Sequence, residues 1–212
     1  THGENAYNIA MGIQTAYLKT SGRYNTYIGG LNTAKADLTG EYNTYLGSYT
    51  NQYGTDTDST TLVGYEAGRY STGSFNTFLG SEAGKGGTTS APYSSGQNNT
   101  AVGYQALDAF TTGYENVAIG GGAGGALTTG YTSTFVGYAA GQSVTTAGNN
   151  NYFGYAAGNG TTGGGNVGIG NHVMKNGAGA AADNTAVGGS SLYAITTGTK
   201  NTTLLVSLLE KL

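Results

Sequence analysis

The stretch Asn99-Thr100-Ala101-Val102-Gly103-Tyr104-Gln105-Ala106-Leu107, answered further on by Asn116-Val117-Ala118-Ile119-Gly120, decides the fold. It holds a five-residue word: Asn, then Thr or Val, a small or aromatic residue, an aliphatic residue, and Gly. Earlier copies are Asn8-Ile9-Ala10-Met11-Gly12, Asn25-Thr26-Tyr27-Ile28-Gly29, Asn43-Thr44-Tyr45-Leu46-Gly47, Thr60-Thr61-Leu62-Val63-Gly64 and Asn76-Thr77-Phe78-Leu79-Gly80. Later copies are Ser133-Thr134-Phe135-Val136-Gly137, Asn150-Asn151-Tyr152-Phe153-Gly154, Asn166-Val167-Gly168-Ile169-Gly170 and Asn184-Thr185-Ala186-Val187-Gly188. Asn201-Thr202-Thr203-Leu204-Leu205 is a degenerate last copy. The closing glycines are spaced by 17, 18, 17, 16, 23, 17, 17, 17, 16 and 18 residues, a steady period broken by one insertion.

After the word comes a second short run, such as Tyr65-Glu66-Ala67-Gly68 or Tyr155-Ala156-Ala157-Gly158. A polar corner follows, as in Thr111-Thr112-Gly113 and Thr161-Thr162-Gly163. Each period therefore reads strand, Gly corner, strand, Thr-Gly corner. A period this short holds neither the helix pair of an ankyrin or TPR repeat nor the four strands of a propeller blade. It fits one coil of a β-solenoid, whose equivalent strands pair in parallel between coils. The expected fold class is all-β: a parallel β-solenoid (β-roll or β-helix) of about twelve coils over residues 1–205, making a rod roughly 55–60 Å long. A hairpin meander is the alternative, but it gives no reason for a near-constant period.

Composition agrees. Glycine fills 40 of 212 positions, charged residues make up 9%, and there are 18 tyrosines, one proline and no cysteine. Low charge with many aromatics excludes solvated disorder. A net charge of −3 with scattered basic residues gives no footprint for nucleic acid. No apolar run approaches the ~20 residues of a membrane-crossing helix, so no membrane insertion is expected. The start, Thr1-His2-Gly3-Glu4, lacks the basic and apolar regions of a signal peptide, which predicts a mature or internal chain or another export route.

Neighbouring residues of a strand face opposite ways. The word's fourth position (Met11, Ile28, Leu46, Val63, Leu79, Val102, Ile119, Val136, Phe153, Ile169, Val187) is apolar throughout and is expected to fill the coil interior. The third position then faces out, yet it too is largely apolar. Tyr27, Tyr45, Leu62, Phe78, Phe135 and Tyr152 are therefore the expected interface of a homo-oligomer, most simply a three-fold bundle, since a long exposed apolar stripe marks an interface. Asn at the first position is expected to form an amide ladder and to take a left-handed corner backbone.

The words Asn99-Thr100-Ala101-Val102-Gly103-Tyr104-Gln105-Ala106-Leu107 and Asn116-Val117-Ala118-Ile119-Gly120 resemble the repeats of bacteriophage tail fibre proteins and related bacterial surface proteins. They are more distantly similar to the Asn-Ser-Val-Ala-Ile-Gly repeats of trimeric autotransporter adhesin heads. The resemblance spans residues 5–205. It implies a trimeric, left-handed β-roll projecting from a particle or cell surface, hence an extracellular location. The period of about 17 residues is longer than that of the adhesin heads. Tail fibres often end in a self-cleaving chaperone domain, and no segment here matches one.

Candidate chemistry is sparse. Glu66 and Glu82 occupy equivalent places in successive coils, about 5 Å apart by stacking, close enough for an acid and nucleophile pair of a glycosidase. Solvated surface carboxylates are the plainer reading. Asp56 and Asp58 sit in a polar turn and offer oxygen ligands for calcium, but the Gly-Gly-x-Gly-x-Asp nonapeptide of calcium-binding rolls is absent. His172 has no partner histidine at ligand spacing. The six-residue run Gly120–Gly125 lacks the Lys-Ser/Thr of a phosphate loop. No catalytic residue, metal or cofactor is assigned.

The insertion lies at about 85–98 and holds Pro92, the only proline; Thr88, Pro92, Tyr93 and Gln97 are its candidate receptor contacts. Residues 206–212 read as a C-terminal cap or the start of a helix. The sequence therefore predicts a non-enzymatic structural fibre or adhesin segment of a virion or bacterial surface. Its partners would be copies of itself and a host polysaccharide or receptor. The alternative is a polysaccharide depolymerase on the same scaffold.

Overall fold

The computed structural model describes residues 7–88, 91, 93–177 and 179–205. The segment 206–212, read above as a cap or the start of a helix, lies outside them, as do Pro92 and His2. Twelve parallel strands follow in chain order: β1 (Ile9–Ile13), β2 (Thr26–Leu31), β3 (Thr44–Leu46), β4 (Thr61–Val63), β5 (Thr77–Leu79) and β6 (Thr100–Val102). Then come β7 (Val117–Ile119), β8 (Thr134–Val136), β9 (Asn151–Phe153), β10 (Val167–Ile169), β11 (Thr185–Val187) and β12 (Thr202–Leu204). Each pairs only with its sequence neighbours, in one sheet of order β1 to β12. Equivalent word positions meet across every pair, as in Thr44↔Thr61, Tyr45↔Leu62 and Leu46↔Val63. The chain is a β-solenoid with one repeat per coil.

The second run of each coil is not a strand of its own: β1 and β2 extend one or two residues into it, and from β3 onward no strand enters it. Its backbone alternates in sign, with Gln105 at φ 55° and Leu107 at φ 51°, and equivalent Glu66 and Glu82 at 58°. It forms stacked turns whose amides reach along the rod: Leu107 N–H donates to Ala123 O at 3.0 Å and Gly122 N–H to Tyr104 O at 2.9 Å. The closing glycine of the word is required twice over. Gly137 sits at φ 133°, and a Cβ on it would lie 2.4 Å from the carbonyl oxygen of Gly154 in the next coil.

The strand faces are the reverse of the expectation. The third position is the interior: Tyr27, Tyr45, Leu62, Phe78, Phe135 and Tyr152 are all completely buried within one chain. They are therefore not interface residues. The fourth position points outward, with Leu46, Leu79, Ile119 and Ile169 all 40–48% exposed. Alternation puts the first position on the same side as the third, so the asparagines are interior too. They do form a ladder. Asn116 Oδ1 accepts the backbone N–H of Ser133 at 3.1 Å, while its Nδ2 donates to the corner carbonyl of Gly130 at 2.9 Å. Asn99 does the same with Asn116 N–H and Gly113 O. The left-handed backbone falls one residue earlier than expected, on Tyr24, Tyr42, Phe75 and their equivalents.

The core is thin, so large residues answer small ones across it. A Cβ on Gly84 would sit 2.3 Å from the ring of Phe78, on Gly141 2.3 Å from Phe135, and on Gly158 2.3 Å from Tyr152. Where the strand supplies Ala101 or Gly168, the turn six residues on supplies buried Leu107 or Met174 instead. Further buried side chains complete the filling, with Phe110 beside Leu107, Leu127 in the coil of Ala118 and Gly124, and Val173 beside Met174.

Candidate functional site

Everything chemical on this rod lies in columns, because each outward position repeats from coil to coil. The longest is the outward sheet face, where the fourth-position side chains run beside a column of mostly threonines: Thr26, Thr44, Thr61, Thr77, Thr100, Thr134, Thr185 and Thr202. It carries no charged residue within any of the twelve strands.

Glu66 and Glu82 do come together, but around a cation. Lys85 Nζ lies 2.9 Å from Glu66 Oε2 and 3.2 Å from Glu82 Oε2, and Arg69 holds Glu66 Oε1 at 2.6 Å. Burial works to raise the Glu66 carboxyl, yet the Lys85 and Tyr65 hydrogen bonds and the Arg69 charge leave it below the usual carboxylate range. A general acid needs the opposite shift. Arg69 also lies over the rings of Tyr49, Tyr53 and Tyr70 at 5.1–5.8 Å.

The inserted loop is anchored where it leaves and rejoins the coil. Gly87 N–H donates to Phe110 O, and Ser94 N–H to Tyr70 O at 2.9 Å. Tyr93 is half-buried rather than free, stacked on Tyr53 at 5.4 Å. Thr88 Oγ1 bonds Ser94 Oγ at 3.2 Å. Gln97 is exposed and, with Ser95, Asn98, Thr112 and Tyr114, lines a groove of 260 Å3. His172 packs edge-on against Tyr155 at 5.1 Å. Among the described residues, no three His, Asp or Glu gather as metal ligands would.

Asp56 and Asp58 serve the corners. Asp56 Oδ1 accepts from Thr39 N–H and Oγ1–H at 3.2 and 2.6 Å, and Asp58 Oδ1 from Glu41 N–H at 2.8 Å. Together with Thr39, Glu41, Tyr42, Ser59 and Phe75 they line a groove of 440 Å3. Tyr42 and Phe75 are 54% and 55% exposed. Sequence reasoning passed over these two rings; the signal was their shared place immediately before the word.

No family model, curated protein or solved structure matches the chain.

Proposed function

We propose that the chain is a segment of a fibre or adhesin projecting from a phage particle or bacterial surface. Copies of it assemble side by side, most simply as a trimer, and the rod presents its outer columns to surface glycans. It works by spacing and recognition rather than by bond cleavage.

The observation that carries this reading is the outward sheet face. Eleven aliphatic or aromatic side chains, from Met11 to Val187, occupy one outward column of the parallel sheet. An uncharged apolar ribbon of rod length is far larger than the patches of monomeric proteins. Completing the burial of such half-exposed side chains contributes roughly 1 kcal/mol each, on the order of 10 kcal/mol per chain before ordering costs. A second copy offers the same face at the same coil spacing. The resemblance of the repeats to tail fibre and adhesin-head repeats supports the same arrangement. The pairing of Glu66 and Glu82 with Lys85 weighs against the depolymerase alternative.

Sedimentation of the triple variant Leu46→Lys, Leu79→Lys, Ile119→Lys tests this. The unaltered chain is expected to sediment as an oligomer and the variant as a folded monomer with the same β-sheet circular dichroism. An unaltered chain that sediments as a monomer, or a variant that assembles equally well, would sink the proposal.

A further inference from the structure

Tyr24, Tyr42, Ser59 and Phe75 are equivalent residues of successive coils, each immediately before the first residue of its word. All four hold one left-handed backbone, with φ 60°, 59°, 50° and 62°. Their side chains therefore leave the coil in the same direction. Where the ring is present in adjacent coils, it stacks: Tyr7 on Tyr24 at 5.2 Å and Tyr24 on Tyr42 at 5.3 Å, with interplanar angles of 11° and 8°. Ser59 removes one ring from this stack and Phe75 supplies the next. The backbone keeps register across the gap, Ser59 N–H donating to Glu41 O at 2.9 Å and Phe75 N–H to Asp58 O at 3.0 Å.

Two coil spacings put Tyr42 and Phe75 about 9–10 Å apart. That leaves room for one guest ring at ~4.8 Å from each, inside the range of ring stacking. The gap opens into the 440 Å3 groove, whose polar wall is Glu41, Asp56 and Asp58. Each carboxylate is fixed through one oxygen: Asp56 by Thr39, Asp58 by the Glu41 amide, and Glu41 Oε1 by Arg23 Nε at 3.3 Å. Among the described residues their second oxygens carry no hydrogen bond and remain as acceptors on residues that line the groove. Charged acceptors held in place make strong hydrogen bonds to hydroxyl donors.

We infer that the slot between Tyr42 and Phe75 binds a single uncharged pyranose, sandwiched between the two rings with its hydroxyls donating to Asp56, Asp58 and Glu41. A flat aromatic ring such as indole would fit the gap but bring at most one donor to the three carboxylates. A uronic or sialic acid would set its own carboxylate against them. The inference rests on the glycan-contact reading above and says where one such contact is made.

Ser59→Tyr is the decisive variant, because the backbone there already accepts tyrosine at Tyr24 and Tyr42. The new ring completes the stack and fills the slot. The probes are the methyl glycosides of glucose, galactose, mannose and N-acetylglucosamine, with methyl glucuronide and indole as counter-probes, read by saturation-transfer NMR on the full chain. At least one neutral glycoside is expected to bind with a millimolar constant. Ser59→Tyr is expected to weaken it at least about tenfold, with an unchanged melting curve. Phe75→Ala, which removes one wall, is expected to weaken it as well. The slot is refuted if no neutral glycoside binds, if Ser59→Tyr binds as well as the unaltered chain, or if glucuronide or indole binds better. Retention of both proteins on immobilised bacterial surface polysaccharide separates the two readings. Equal retention with an empty slot overturns this site alone, and no retention of either overturns the glycan reading with it.

Discussion

Exchanging the large and small partners of one coil tests how the interior is filled. In the eighth strand's coil, Phe135 is completely buried and Gly141 faces it. In an earlier coil the same two places hold Ala101 and Leu107. Phe135→Ala removes a buried ring and is expected to cost about 3–5 kcal/mol. Gly141→Leu alone places a Cβ 2.3 Å from Phe135 Cδ1 and overpacks the coil, costing about 1–3 kcal/mol or more. If the sites were independent, the double variant would lose the sum of these. Instead it approaches the Ala101–Leu107 arrangement, including its left-handed backbone, since Leu107 sits at φ 51° and Gly141 at φ 61°; that coil also buries Phe110 where this one has the smaller Val144. We expect the double variant to fall within about 1–2 kcal/mol of the original, a favourable coupling of at least about 2 kcal/mol. Urea unfolding followed by circular dichroism gives the midpoints. Hydrogen exchange localises the effect, because a solenoid loses protection coil by coil. A double variant as unstable as the sum of the singles would refute the compensation.

Two further predictions concern buried polar groups. Asn116→Ala orphans the Ser133 N–H and the Gly130 carbonyl and is expected to cost on the order of 3 kcal/mol, with the earliest loss of amide protection at Ser133. Lys19 and Asp37 form an almost fully buried pair 3.7 Å apart, to which the Tyr27 hydroxyl also donates. Lys19→Met is expected to cost about 3–5 kcal/mol at neutral pH, whereas Lys19→Met with Asp37→Asn, which removes the lone buried charge and keeps an acceptor for the Tyr27 hydroxyl and the Gly40 N–H, should recover part of that cost. Burial pushes the Asp37 carboxyl above its usual range even with Lys19 present. A raised folded-state value means the folded chain takes the proton first. The deficit of Lys19→Met should therefore shrink as pH falls from neutral through that raised value, read by melting at each pH; a deficit that grows toward acid would refute it.

While it misread the second run as a strand and placed the left-handed corner one residue late, the sequence by itself determined the period, the twelve stacked strands and their parallel order. Those follow from local chemistry repeated: a glycine where the next coil's carbonyl leaves no room for a Cβ, and an asparagine whose amide links two coils. Six-residue partners such as Phe78 with Gly84 and Ala101 with Leu107 were also there to be read. What the sequence left open was the sign of the alternation. Strand geometry says only that third and fourth positions oppose each other, and both columns are apolar. The tertiary structure decided it. Asn116 must reach Gly130 O across the inside of the corner, so it and every residue of its parity turn inward, carrying Phe78, Phe135 and Tyr152 with them. The gap between Tyr42 and Phe75 was hidden for a related reason. Thirty-three positions separate them in the chain, and only stacking of the coils makes them the two walls of one slot.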